Sequence, residues 1–341
     1  MHCARHSRTG RRSPPTVLLS LRPVSLPLLT VIIPAHNPHP GRLQRTLEGL
    51  REQTLPLSEW ETLLIDNASS TSFLIEKYLD FAPANIRVVT EPHLGLSHAR
   101  RRGFKEARGD YIVLVDDDNV LSPDYLARVI SRFETHPKVG ALGGPSRPEF
   151  EVPPARWQSE FFGLLALRDL GPDPIVSGIR PHGSTSDAYP LHSPIGAGMS
   201  LRRNAAQEWL AHSDPSSLTD RKGNELTSGG DNDIIIQVLR AGWEVAYFPE
   251  LALTHLIPSG RLAPTYLARL NFGIQKSWMQ VLLRHGLSDW PPILRWSVPL
   301  RQLKAWFTHH AWSSPASHIR WQGACGHFAG RVSLPTKSHA E

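Results

Sequence analysis

The chain has 341 residues, 37 Lys and Arg against 31 Asp and Glu, and a formal net charge of +6. That length allows one large α/β domain with an appendage, or two domains. Its two cysteines, Cys3 and Cys325, exclude a disulfide framework and a zinc cluster and fit a reducing compartment, and no RNP-type or Cys/His pattern points to nucleic acid.

The charge is unevenly spread. Residues 1–30 carry five Arg and no acid, and residues 260–341 carry ten Lys and Arg against Asp289 and Glu341. Basic ends favour an anionic surface such as a membrane. Residues 16–29 are apolar after a basic start, but Arg22 and Pro23 interrupt them and no small-residue cleavage site follows, so they do not read as a signal peptide. No apolar run is long enough to span a bilayer. The expectation is a cytoplasmic protein, peripheral on the cytoplasmic face of a membrane.

In chain order, residues 1–27 read as a basic, Pro-rich disordered tail. A strand is predicted over 28–33, closed by Pro34, and then a loop through Ala35, His36 and Asn37. The helix over 42–53 puts Leu43, Leu47 and Leu50 on one face. Strand 61–65 ends in Asp66 and Asn67. Asp66 reads equally as an acceptor for a nucleobase N–H or as a helix N-cap. Helix 72–81, strand 86–90 and helix 97–107 follow, the last with Ser97 as N-cap and Gly109 as its stop.

Residues 111–119, YIVLVDDDN, carry the strongest chemical signal. The first five read as a buried strand, and Asp116, Asp117 and Asp118 stand at its end. Like charges that close raise one another's pKa unless a cation sits among them. Hard oxygen ligands suit Mg²⁺ or Mn²⁺, which often bridge to a substrate phosphate. Open α/β sheets bind ligands at the carboxyl ends of their strands. The alternative is a solvated turn, although the next helix, 123–135, brings its own start in Ser122 as N-cap and Pro123 at N1. Strand 139–142 completes an alternation of strand and helix typical of βαβ units. No GxGxxG follows the first strand and no GxxxxGK[ST] occurs, which argues against dinucleotide-binding and P-loop readings.

Residues 145–194 show little periodicity, and residues 171–190 form a loop of the length usual for a lid or binding loop. Strand 195–201 and helix 204–211 precede a polar loop. Asp231 and Asp233 then open a helix running to Arg240. Their carboxylates either complement the helix dipole or stand at the mouth of a pocket. Strands 244–248 and 251–254 follow, with His255 ending the second. Beyond 260, six Trp lie among basic residues, with helices over 267–283 and 301–307. This segment reads as an interfacial membrane element or as a packed appendage with Trp as its core.

Five stretches together resemble the family 2 glycosyltransferases: TVIIPAHN (30–37), LLIDNASS (63–70), EPHLGLSHARRRGFKEARGDYIVLVDDDNVLSPDYL (91–126), GAGMSLRR (196–203) and SGGDNDIIIQVLRAGWEVAYFPELALTHL (228–256). They occur in the family's order and at its spacing. The resemblance implies an α/β, GT-A type Rossmann-like sheet flanked by helices over 28–258. Its halves would be 28–145 for the nucleotide and 146–258 for the acceptor, with 259–341 a helical, Trp-rich extension. It implies inverting transfer of a sugar from a UDP- or GDP-sugar to a glycan, lipid-linked or other hydroxyl acceptor, with Mg²⁺ or Mn²⁺. Pro34, Ala35 and Asn37 would line the nucleotide pocket, Asp66 would bind the base and Arg100 would face the nucleotide. Asp116 and Asp117 would lie near the ribose, Asp118 and His255 would approach the metal, and Asp231 would be the catalytic base.

Three departures stand out. The family's ARN reads Ala99–Arg100–Arg101, the Glu before the base is Gly230, and the QxxRW of processive synthases is missing. A non-processive enzyme is therefore expected. A non-catalytic binding or scaffold relative and a sugar-phosphate nucleotidyltransferase are the alternatives.

Overall fold

The computed structural model describes residues 26–71, 73–178, 189–213 and 226–332. Residues 1–25 of the predicted tail and residues 179–188 of the predicted lid over 171–190 lie outside them, and the described part of that loop contains a short strand, Ile175–Ser177.

Eleven strands are described. β1 (Leu29–Ala35), β2 (Trp60–Asn67), β3 (Ile86–Glu91) and β4 (Tyr111–Leu114) pair in parallel in the order β3-β2-β1-β4. β5 (Asn119–Leu121), β6 (Val139–Gly143), β7 (Ser146–Phe150) and β8 (Ile175–Ser177) come next, then β9 (Ser200–Arg202), β10 (Glu244–Tyr247) and β11 (Leu253–Ile257). The main sheet runs β3-β2-β1-β4-β9-β6-β10-β8, with β9 and β8 antiparallel to their neighbours. A small sheet, β5-β11-β7, lies apart from it. The chain steps outward from β1 to β3 and then returns to β4 on the other side of β1. This reversal opens a crevice beyond the carboxyl ends of β1 and β4.

Every residue of β1 and β2 is buried, as central parallel strands covered on both faces require. Alternation sends Val31 and Ile33 to one core and Ile32 to the other. On the first face lie α1 (Pro40–Arg51), through the expected Leu43, Leu47 and Leu50, and α3 (Tyr125–Thr135). On the second lie α2 (Leu96–Glu106), α4 (Arg203–His212) and α5 (Gly230–Arg240). Three further helices, α6 (Pro264–Arg284), α7 (Val298–Thr308) and α8 (Pro315–Gly330), follow β11. A third core joins α6 and α8 to β11 and to the 3₁₀ stretch Arg156–Leu165.

Several expected elements differ. The helix expected over 72–81 is one 3₁₀ turn, Ile75–Tyr78: Phe73 and Tyr78 pack against the first core while Leu74 and Leu79 stay exposed. Ser122 and Pro123 do not start α3. Gln53 reaches across to accept from the Leu126 amide at 3.1 Å and to donate to the Ser122 carbonyl at 2.8 Å. Gly95, not Ser97, caps α2: its φ of 142° is a glycine conformation, and its N–H donates to Asn67 Oδ1 at 2.9 Å. The strand over 195–201 shrinks to Ser200–Arg202 where Gly198, at φ 75°, turns the chain. His255 lies inside β11, not after it.

Candidate active site

The crevice at the β1/β4 reversal is a cleft of about 320 Å³. Pro34, Ala35, His36 and Asn37 form one wall at the end of β1. Asn37 ties this loop to the end of β2, donating from its amide to Ser69 Oγ at 3.0 Å and accepting from the Ser70 amide at 2.9 Å. Asn67 also lines the cleft and is locked by donating to the Glu91 and His93 carbonyls. Asp66 is buried beside it, accepts from the Ser69 amide at 3.3 Å, and lies outside the lining.

Asp116, Asp117 and Asp118 form the floor. Asp117 loses hydration and faces two like charges, and its carboxyl is raised to about 7 by burial first, then by Asp118 and Asp116. Asp118 is buried and already engaged. Arg261 Nη2 lies 2.9 Å from its Oδ2, His255 Nε2 lies 3.4 Å from its Oδ1, and Asn119 Nδ2 donates to Oδ1 at 3.2 Å. The β5–β11 pairing creates this contact by setting His255 opposite Asn119. Arg261 comes from the 3₁₀ turn Ser259–Leu262 and also approaches His255 Nε2 at 3.0 Å. His255 Nδ1 is buried without a hydrogen-bond partner.

Asp231 joins the lining from the first turn of α5. Its Oδ2 accepts from the Gly196 amide at 3.1 Å and its Oδ1 from the Asn232 amide at 3.0 Å. Arg100, buried on α2, lines the same end of the cleft. Gly196 sits between them: a Cβ there would overlap the Arg100 guanidinium and lie 3.5 Å from Asp231 Oδ2. Asp233, two residues on, is buried away from the cleft. It accepts from Trp209 Nε1 at 2.7 Å and pairs with His285 Nε2 at 2.7 Å. It therefore cannot stand in for Asp231.

Among the described residues no three His, Cys, Asp or Glu side chains are gathered into a metal cage. The three carboxylates suit a hard cation, since three adjacent oxygen donors line one cleft and Asp116 and Asp118 crowd like charge on Asp117. Such a cation needs further oxygens from a ligand and competes with Arg261 for Asp118.

Of the residues expected at the site, the cleft gathers Pro34, Ala35, Asn37, Arg100, Asp116, Asp117, Asp118, Asp231 and His255, and leaves Asp66 at its back. Asn67, expected with Asp66 as a polar strand end that could grip a ligand, also lines the cleft. Sequence reading missed Arg42 and Arg261. Arg261 falls three residues past the boundary drawn at 258, where no motif marks it.

The sequence matches the profile of Glycosyl transferase family 2 over residues 30–210. The chain belongs to this family. The match covers the cleft's β1, β2 and Asp116–Asp118 walls but ends before Asp231, His255 and Arg261. Similar proteins include the succinoglycan biosynthesis protein ExoM of Rhizobium meliloti (strain 1021), 26% identical over 275 residues, 78% of each chain. An uncharacterized protein, y4gI, of Sinorhizobium fredii is 33% identical over 114 residues, covering 33% of this chain and 12% of that one. An uncharacterized glycosyltransferase of Haemophilus influenzae is 26% identical over 122 residues, covering 36% of this chain and 40% of that one. The chain thus matches less than half the length of these last two.

Proposed function

We propose that this chain is an inverting, non-processive glycosyltransferase that moves a sugar from a UDP- or GDP-sugar to an acceptor hydroxyl. One observation carries the reading: the Asp116–Asp118 floor and the carboxylate of Asp231 line a single cleft. The diphosphate lies over the floor, and the base packs toward the end of β2, where Asp66 and Asn67 offer polar atoms. Asp116, Asp117 and Asp118, with His255 beside them, would hold Mg²⁺ or Mn²⁺. When bound, the cation offsets charge on the departing diphosphate. Arg261 and Arg42 add positive charge at the same end of the cleft.

Asp231 takes the proton from the acceptor hydroxyl as that oxygen bonds to the anomeric carbon. The carbon–oxygen bond to the diphosphate breaks on the opposite face, so the configuration inverts. The Gly196 amide donates to Asp231 Oδ2 at 3.1 Å and keeps the carboxylate aimed. Arg100, across Gly196, stabilises negative charge near the reacting centre. The proposal includes polysaccharide or glycoconjugate synthesis as the setting, in line with the name of the Rhizobium meliloti relative. It also includes peripheral contact of residues 259–341 with a membrane surface.

The test is hydrolysis or transfer across a panel of nucleotide sugars with Mn²⁺, read beside nucleotide binding by calorimetry. Asp231→Asn is expected to cut turnover by roughly 10²-fold or more while nucleotide affinity stays within a few-fold. Unchanged turnover in that variant removes Asp231 from the mechanism. Gly230 in place of the usual Glu favours the non-catalytic relative, which would bind nucleotide and turn over none of the panel.

A further inference from the structure

The extension after β11 divides its tryptophans between two environments. Trp306 packs edge-on against Trp321, with ring centroids 4.7 Å apart, and Trp321 donates to the Gln302 carbonyl at 3.0 Å. These rings join α7 to α8. Leu294, Trp296, Leu300, Leu303, Phe307 and Trp312 are instead each more than half exposed. On α7, Leu300, Leu303 and Phe307 follow the i, i+3, i+7 spacing, so they form one stripe facing away from Ala305, which is buried. Trp296 continues that stripe one turn earlier, and Trp312 touches Phe307 with ring centroids 5.8 Å apart.

Exposed positive charge lies along this apolar stripe. Residues 290–332 contain no Asp or Glu, and of their five cations Arg295, Arg301 and Lys304 are exposed without a carboxylate on the same segment, whereas Arg320 pairs with Glu160 and Arg331 is buried. Arg301 and Lys304 are exposed on α7 itself, next to Leu300 and Leu303. A large exposed apolar patch marks a docking surface. A helix with Trp, Leu and Phe on one face and Lys or Arg beside them suits the boundary between lipid headgroups and acyl chains. A second copy is disfavoured, because a two-fold contact through this patch would set its cations against themselves.

We infer that α7 and its flanking turns dock the protein on an anionic lipid surface. Leu300, Leu303, Phe307, Trp296 and Trp312 enter the interface, and Arg301 and Lys304 meet lipid phosphates. The inference rests on the membrane-contact part of the proposed function and not on sugar transfer. Docking there leaves the donor cleft free, since none of these residues lines it.

The experiment is co-sedimentation of the full chain with vesicles of equimolar phosphatidylcholine and phosphatidylglycerol, and with phosphatidylcholine alone. Binding is expected to the anionic vesicles only and to weaken with salt. L300Q/L303Q/F307Q is expected to lower vesicle affinity by roughly tenfold or more. R301Q/K304Q is expected to lower it by a similar factor, at roughly fivefold per charge. Donor hydrolysis in vesicle-free solution and the melting temperature, read on the same samples, should be unchanged, which separates lost docking from lost folding or lost catalysis. Wild-type affinity in both variants would assign any binding to the basic residues before Leu26 and overturn the inference. So would absent vesicle binding accompanied by concentration-dependent dimerisation that the triple substitution abolishes.

Discussion

Asp117 and Arg261 report on the charge balance of the cleft floor. Asp117 titrates near 7 because burial and its two Asp neighbours disfavour the ionised form. A carboxyl raised above its unfolded value of 3.8 binds more protons folded than unfolded between those two values. Its ionisation therefore removes stability as pH rises from about 4 to about 7. In chelator, melting from pH 5 to pH 8 should show this loss, and Asp117→Asn should flatten the curve and melt higher than the parent at pH 8. Arg261 acts in the opposite sense. Removing it takes the guanidinium from the buried Asp118 and leaves His255 and Asn119 beside that carboxylate, so Arg261→Ala should cost roughly 3 kcal/mol in urea unfolding without divalent cation. Added Mn²⁺ should restore much of that loss if it takes the guanidinium's place, and none if the floor does not bind it.

At the scale of elements, α8 shows how a helix forms against its own propensity. It carries Gly323, Gly326 and Gly330 at i, i+3, i+7, and Gly disfavours a helix interior by about 1 kcal/mol relative to Ala. The three face α6, where a Cβ at Gly326 would overlap the Phe272 carbonyl and one at Gly323 would meet Asn271 Nδ2 at 2.5 Å. Close backbone approach replaces an apolar stripe as the packing device. Gly326→Ala should therefore destabilise by roughly 1–3 kcal/mol by overpacking, where helix propensity alone would stabilise. Thermal unfolding gives the sign. The same logic explains why no periodicity revealed α8, while α1, with Leu43, Leu47 and Leu50, was evident.

At the scale of the molecule, the helices after β11 are part of the site's foundation. Arg261 neutralises Asp118. His285, at the end of α6, pairs with Asp233 and takes Arg240 Nη1 at 3.1 Å on its Nδ1. Ser277 accepts from the Ser228 amide at 3.3 Å beside the start of α5. The turn carrying Asp231 is thus held by α6. A chain ended after Pro258 loses Arg261 from Asp118 and His285 from Asp233 together and exposes the third core. It should be recovered insoluble or without a cooperative melting transition, whereas a chain lacking residues 1–25 should melt like the parent. A folded, nucleotide-binding product ending at Pro258 would show the extension to be dispensable.

The sequence by itself determined the alternating α/β order, the carboxyl-end position of the three Asp and the family, because short buried strands and their polar ends are local patterns. It also marked Asp231, though not that Asp233 is unavailable. Those two lie in one helical turn, and only the packing of Trp209 and His285 around one of them assigns the other to the cleft. Arg261 likewise has no local signature. Its place on Asp118 follows from β11 pairing with β5, a contact between residues more than a hundred positions apart. The opening of YIVLVDDDN toward solvent was legible, but the counter-charge that balances it was decided by tertiary structure, since electrostatic partners are set by distance in space and not by spacing along the chain.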